Sequence, residues 1–419
     1  MNRNKILAND YQHLLIFFIF YLTVLLGYYF NEDNLGGAIV DSTYHFKISQ
    51  KFSENFYQTY LNYGNTDLGL AMGTRNSPIF WMFLSVLDRF MSFDMIRVLN
   101  TLIIFFIALI FYKCLLLKFK DVNRLNLILL STFIFLSPSL RSLAIWPYSL
   151  IWGLFFFVVS IYYYLKYKND LNFSNSFKIL FFLILSSYIY PSFGIFYLYY
   201  ISKIKNKKIL LGLLFCSLIL SMPAIFYFIS KDFLNSYQDA QGVKISGLQS
   251  LNFSNKILII STMCFYLLLP IINFKEILNN IKKIKLVEFF FITIFCLINF
   301  YFFNFPNSIW GGGFFHKLSN FAFSNNYFFF ISAFLSIFII YFFIEKKNNN
   351  LLLLLILILY NPQFTIYLKY FDPLVLIVFL TLIDFDLKKQ FINKSYRFYQ
   401  FYGIIAFYYI AVYGKKILI

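Results

Sequence analysis

Residues 11–30 read YQHLLIFFIFYLTVLLGYYF, with no Asp, Glu, Lys or Arg among them. As a helix at about 1.5 Å per residue, this stretch covers the roughly 30 Å of a bilayer core. Similar runs recur at 97–113, 149–165, 208–229, 256–273, 286–304 and 327–344. The chain is 60% hydrophobic and 23% aromatic, with 13% charged residues, about half the charged share of a soluble domain. The runs are continuous, whereas a membrane β-barrel alternates in short segments. Stretch 11–30 is too long for a signal-peptide core and is followed by no small-x-small cleavage site, so it reads as a retained span. The expected fold is all-α: a polytopic integral membrane protein of about 11 to 13 hydrophobic helices, forming a single transmembrane domain over 1–419.

The net charge of +18 raises nucleic acid as a partner. The lysines and arginines sit in short loops between spans, as the positive-inside rule requires, so membrane lipids are expected as partners and nucleic acid is not. Cys114, Cys216, Cys264 and Cys296 lie in or beside apolar runs without metal-ligand spacing, which reads as small core residues. Arg3 and Lys5 place the N-terminus in the cytoplasm. The Phe, Ile, Asn and Lys bias fits an AT-rich bacterial genome, and hence a bacterial plasma membrane.

Span 11–30 then delivers a long polar loop, 31–78, to the outer face. The loop holds five acids (Glu32, Asp33, Asp41, Glu54, Asp67) and His45, one of three histidines in the chain. Phe46, Phe52, Phe56 and Tyr60 recur near helical spacing, which predicts an amphipathic helix on the membrane surface. The apolar piece 78–91 is short for a span and is expected to dip into the bilayer. Residues 178–201 are broken at Pro191, as in a re-entrant pair. The GGG at 311–313 has no strand before it and no GK after it, so it is no nucleotide loop; it reads as a flexible outer loop or lid.

This topology gathers Asp41, His45, Gln50, Arg75, Arg97, Asn100, Arg141, Trp146, His316, Lys369 and Asp372 toward one face. Ionisable groups at membrane depth are costly and usually functional. Asp41 and His45 are four apart, so a helix puts them on one face. A carboxylate there can take a proton from an attacking sugar hydroxyl, with His45 orienting it or the acceptor. Arginine and lysine suit phosphate or diphosphate oxygens. Asp-x3-His alone does not favour a metal, and no cofactor is expected.

The order of these features resembles the GT-C class of membrane glycosyltransferases, and within it the dolichyl-phosphate-glucose α-1,2-glucosyltransferase family. The family's first-loop motif is similar to Asp41-Ser42-Thr43-Tyr44-His45 followed by Gln50-Lys51-Phe52. Its Leu-Arg-x-x-Asn resembles Ile96-Arg97-Val98-Leu99-Asn100, and its small-Pro segment resembles Ser137-Pro138 and the aromatic span to Tyr164. Lys369-Tyr370-Phe371-Asp372-Pro373 loosely echoes a late Arg-Tyr element. The chain departs at Ser42, where the family has a second acid, and at Tyr190-Pro191-Ser192-Phe193. The resemblance implies an inverting glycosyltransferase with Asp41 as base, a polyprenyl-phosphate sugar as donor, a surface glycan or lipid-linked acceptor, and an active site on the outer face. Two rival readings are a polymerase of lipid-linked repeats and a lipid-linked glycan flippase. The polymerase would call for arginines in the later loops 230–255 and 305–326, which have none. The flippase would call for paired halves, which the sequence does not show.

Overall fold

A computed structural model of the chain describes residues 3–34, 37–63, 77–230, 252–268, 284–307, 311–344, 348–361, 364–384, residue 279 and a few positions from 402 to 414. Among these residues there is helix and no strand. The chain packs as two compact units, 1–240 with 407–419, and 241–406.

The first unit opens with α1 (Arg3–Tyr29). Asp33 then starts α2 (Ala38–Glu54) by accepting from the backbone N–H groups of Gly37, Ala38 and Ile39 at 3.1, 3.2 and 3.4 Å. Gly37 lies at φ +109°, a conformation open to glycine at little cost. α2 breaks at Asn55, whose side chain caps α3 (Phe56–Leu61). The face of α2 that carries Ala38, Ser42, His45, Ile48, Ser49 and Phe52 is buried. It packs largely on α4 (Ile79–Asp88), so its apolar face meets protein where a membrane surface was expected. α4 has ten residues, about 15 Å of helix and half a bilayer core.

α5 (Phe93–Lys118) is capped by Ser92, and α6 (Arg124–Leu136) by Asn123. At Ser137-Pro138 the axis turns by 62° into α7 (Pro138–Ile145). The turn has a local cause: the Ser137 hydroxyl caps α7 by accepting from Leu140 N–H at 3.0 Å, and proline suits a first helical position. α8 (Ser149–Asn169) follows, then α9 (Phe173–Ile189), a 3₁₀ turn over Pro191–Ile195, and α10 (Phe196–Lys203). The break at Pro191 falls where the sequence predicts it. α11 (Lys207–Ser230) carries Pro223 in its interior.

The second unit comprises α12 (Phe253–Leu268), α13 (Leu286–Tyr301), α14 (Gly313–Phe323), α15 (Tyr327–Ile344), α16 (Asn348–Leu359), a 3₁₀ turn at Leu368–Tyr370 and α17 (Leu374–Thr381). Among the described residues, three helices, over 93–118, 149–169 and 207–227, are long and apolar enough to cross a membrane, and the bent pair α6–α7 would make a fourth. Much of α11 is exposed, including Leu211, Phe215, Phe226 and Ile229, as expected of a helix meeting lipid.

Candidate functional site

α2 places Asp41 in its first turn, half-buried, with its N–H bonded to Gly37 O at 2.8 Å. One turn on, His45 is 4% exposed. Its ring stands 4.9 Å from the Tyr148 ring and 5.3 Å from Trp81, centroid to centroid. The indole N–H of Trp81 donates to His45 Nδ1 at 2.5 Å. An indole only donates, so Nδ1 is an acceptor and the neutral ring carries its hydrogen on Nε2. That tautomer gives His45 a donor at Nε2. Ser42, between them, is fully buried with no hydrogen-bond partner for its hydroxyl, and Ser149, at the start of α8, is in the same state. Gln50 is exposed further along α2. Arg75 lies outside the described residues.

The two arginines predicted to hold phosphate are enclosed by protein groups. Arg141 on α7 is 2% exposed and pairs with the fully buried Glu32 at 2.7 Å. Its Nε bonds Glu32; Nη1 bonds Thr23 Oγ1 and the Phe135 carbonyl; Nη2 bonds the Thr23 carbonyl, Glu32 and the Tyr413 hydroxyl. A guanidinium has five N–H donors, and all five are used. Tyr413 and Asn34 also donate to the Glu32 carboxylate. Gly27 leaves the room for this: a Cβ there would collide with Glu32 Oε2 and come within 2.9 Å of Arg141 Nη2.

Arg97 on α5 lies between the rings of Trp146 and Tyr28, 3.7 and 4.6 Å from their centroids. It bonds the Ile145 carbonyl, Asp94 and Asn31. Asn100, one turn along, donates to the carbonyls of Leu143 and Ala144 at 2.9 and 2.6 Å and accepts from Trp152 at 2.8 Å. Trp146 donates to the Glu32 carbonyl at 3.1 Å. The last carbonyls of a helix have no partner within it, and here Arg97 and Asn100 supply three. Arg97, Asn100, Arg141 and Trp146 therefore form one knot that pins α7 to α5 and to the end of α1.

The remaining predicted residues lie in the second unit. Gly311, Gly312 and Gly313 have φ of +101°, +85° and +75°. Gly312 N–H bonds the Ile366 carbonyl at 2.9 Å, and a Cβ on Gly311 would stand 2.6 Å from that same oxygen. The run expected to be a flexible lid is thus a bonded turn that only glycine fits. It leads into α14, where His316 is fully buried among Phe303, Phe305 and Phe329. His316 Nε2 meets the Asn320 amide at 3.2 Å, and Nδ1 has no partner. Burial, and next the Lys317 charge, push its pKa down to about 4. Lys369 is partly exposed, with its ammonium 5.3 and 5.8 Å from the Tyr367 and Tyr370 rings. Asp372 is 8% exposed.

Sequence reading missed three features: the Trp81 partner of His45, the Glu32 partner of Arg141, and Lys256, a 1%-exposed lysine bonded to the Asn361 carbonyl at 2.7 Å. Trp81 had a signal, because a tryptophan in a short apolar helix needs an acceptor for its N–H. No family model, curated protein or solved structure matches the chain.

Proposed function

We propose that the protein is an integral membrane glycosyltransferase, GT-C-like in architecture, that moves a sugar from a polyprenyl-phosphate donor to a glycan or lipid-linked acceptor with inversion. The observation that carries this reading is the pairing on α2: a half-buried carboxylate, Asp41, one turn from a buried histidine whose tautomer is set by Trp81. In this reading Asp41 takes the proton of the acceptor hydroxyl as it attacks the anomeric carbon. His45 holds an oxygen through Nε2–H. The sugar–phosphate bond breaks as the new glycosidic bond forms, and the lipid phosphate leaves with the electron pair.

Arg97 and Arg141 act in this account as positioning residues, since Arg141 has no donor left and Arg97 is sandwiched between rings. The leaving phosphate then falls to another cation, with Arg75 as the remaining arginine from the sequence reading. The expected setting is a bacterial plasma membrane with the site on the outer face.

The test is transfer by purified protein from synthetic polyprenyl-phosphate sugars of defined anomer, with the product anomer read by NMR. Inverted product supports the reading. Retained configuration removes the single-displacement mechanism. Failure with every single-sugar donor favours a polymerase of lipid-linked repeats or a flippase.

A further inference from the structure

Seven lysines and one acid, Asp170, occur between residues 149 and 230. All seven lie in or beside two turns. Lys166, Lys168 and Lys178 flank the turn from α8 to α9, and Lys203, Lys205, Lys207 and Lys208 the turn from α10 to α11. The fold brings these turns together at one end of the first unit. The rings of Tyr164 on α8 and Tyr199 on α10 stand 5.6 Å apart, with their hydroxyls hydrogen-bonded at 3.1 Å. Phe173, at the start of α9, comes within 3.2 Å of where a Cβ on Gly212 of α11 would lie.

Tyrosine rings hold the lysines at this end. Lys166 and Lys178, from different helices, share the Tyr163 ring, with their ammonium groups 5.9 and 5.4 Å from its centroid. Lys168 stands 5.6 Å from the Tyr164 ring, and Lys203 4.9 Å from that of Tyr199. A ring face attracts a cation but does not neutralise it. Among the described residues, no carboxylate pairs with Lys166, Lys178, Lys205, Lys207 or Lys208. Like charges gathered in this way repel one another, so an anion placed among them is stabilising. We infer that this end of the first unit binds the headgroup phosphate of an anionic phospholipid.

Two relations select a phospholipid over a soluble anion or the sugar donor. The exposed residues Leu211, Phe215, Leu218 and Met222 follow one another at spacings of four, three and four, which puts them on one face of α11, leading away from Lys207 and Lys208. An amphiphile can set its phosphate among the lysines and its acyl chain along that stripe, whereas a nucleotide or a nucleic acid has no such chain. The candidate site lies at the opposite end of α8. His45 packs on Tyr148, just before α8 begins, while Lys166 and Lys168 are in its last turn. The 21 residues of α8 extend about 30 Å, one bilayer core, so a donor phosphate held beside Asp41 is far from these lysines. Lysine-rich turns favour the cytoplasmic side, where the leaflet carries anionic lipid. The inference uses the membrane reading and none of the transferase chemistry.

The experiment is electron paramagnetic resonance of the full chain in phosphatidylcholine vesicles. The probes are spin-labelled phosphatidylglycerol and phosphatidylcholine with the same acyl chains, and the motionally restricted fraction of each gives its relative affinity for the protein. The wild type should prefer phosphatidylglycerol by about 5-fold or more, the factor that one lysine near an anionic headgroup supplies. Lys166→Gln with Lys178→Gln, and Lys207→Gln with Lys208→Gln, should each lower the preference by about 3-fold or more, and all four together should bring it near parity. The four side chains are exposed, and the two double variants decide the matter if the quadruple variant fails to fold. Equal affinity of the wild type for the two lipids overturns the assignment, as does a preference that persists in both double variants. Displacement of the labelled phosphatidylglycerol by unlabelled polyprenyl phosphate, but not by unlabelled phosphatidylglycerol, gives this end to the donor and overturns it too. A lipid preference without sugar transfer would retain this site while removing the transferase reading; transfer without the preference would do the reverse.

Discussion

Trp81 Nε1–H donates to Nδ1 of His45 at 2.5 Å, joining α4 to α2 across 36 positions of the chain. The bond fixes which imidazole nitrogen can donate. It also explains why a helix as short as α4 is held tightly against α2. Trp81 is fully buried beside Phe52, Tyr63 and Phe80.

Trp81→Phe keeps an aromatic ring but removes the donor. The His45 tautomer is then no longer set, and transfer should fall by about 10²-fold, the low end for a misplaced acid–base group. The pH–rate profile should shift as well, which a purely structural loss would not cause. Unchanged rate and profile would remove His45 from the mechanism.

Glu32 and Arg141 make a second prediction. Glu32→Gln leaves the Arg141 charge buried with fewer compensating acceptors, and should destabilise the protein by about 3–5 kcal/mol. The double variant Glu32→Gln with Arg141→Met should recover a large part of that loss, because an apolar replacement of a buried ion pair is often neutral. Thermal unfolding of the four proteins gives the coupling. Additive losses would contradict a dedicated pair.

The break at Pro191 and a helix carrying Asp41 and His45 were legible in the sequence. Both depend on local chemistry: a proline inside an apolar run, and a spacing of four. The arginines were misjudged because their partners are distant. Glu32 lies 109 positions from Arg141, and Ile145 lies 48 from Arg97. A basic residue that finds acceptors across the fold looks, in sequence, the same as one awaiting phosphate. The triple glycine was read as freedom, where the close approach of the Ile366 carbonyl makes it a requirement.

Gly311→Ala tests that requirement. The new methyl would meet the Ile366 oxygen at 2.6 Å in a backbone at φ +101°. The cost should be about 2 kcal/mol or more, seen as a lower unfolding temperature. A flexible lid would tolerate alanine with no measurable change.

His316 gives a pH prediction. Its pKa is pushed from an ordinary 6.5 down to about 4 in the folded protein. Between these values the unfolded chain binds the proton more readily, so stability is full above pH 6.5 and is lost as pH falls toward 4. Unfolding temperatures at pH 7.5, 6 and 5 should decline in the wild type, and decline less in His316→Gln. Equal slopes would show that His316 is not the group responsible.

Asp41 carries the central claim. Single-turnover transfer of labelled sugar from a polyprenyl-phosphate donor, wild type beside Asp41→Asn, tests it most directly. The account predicts transfer by the wild type and a loss of about 10²- to 10⁴-fold in the variant, with unfolding temperature unchanged. Transfer at the wild-type rate by Asp41→Asn would contradict it.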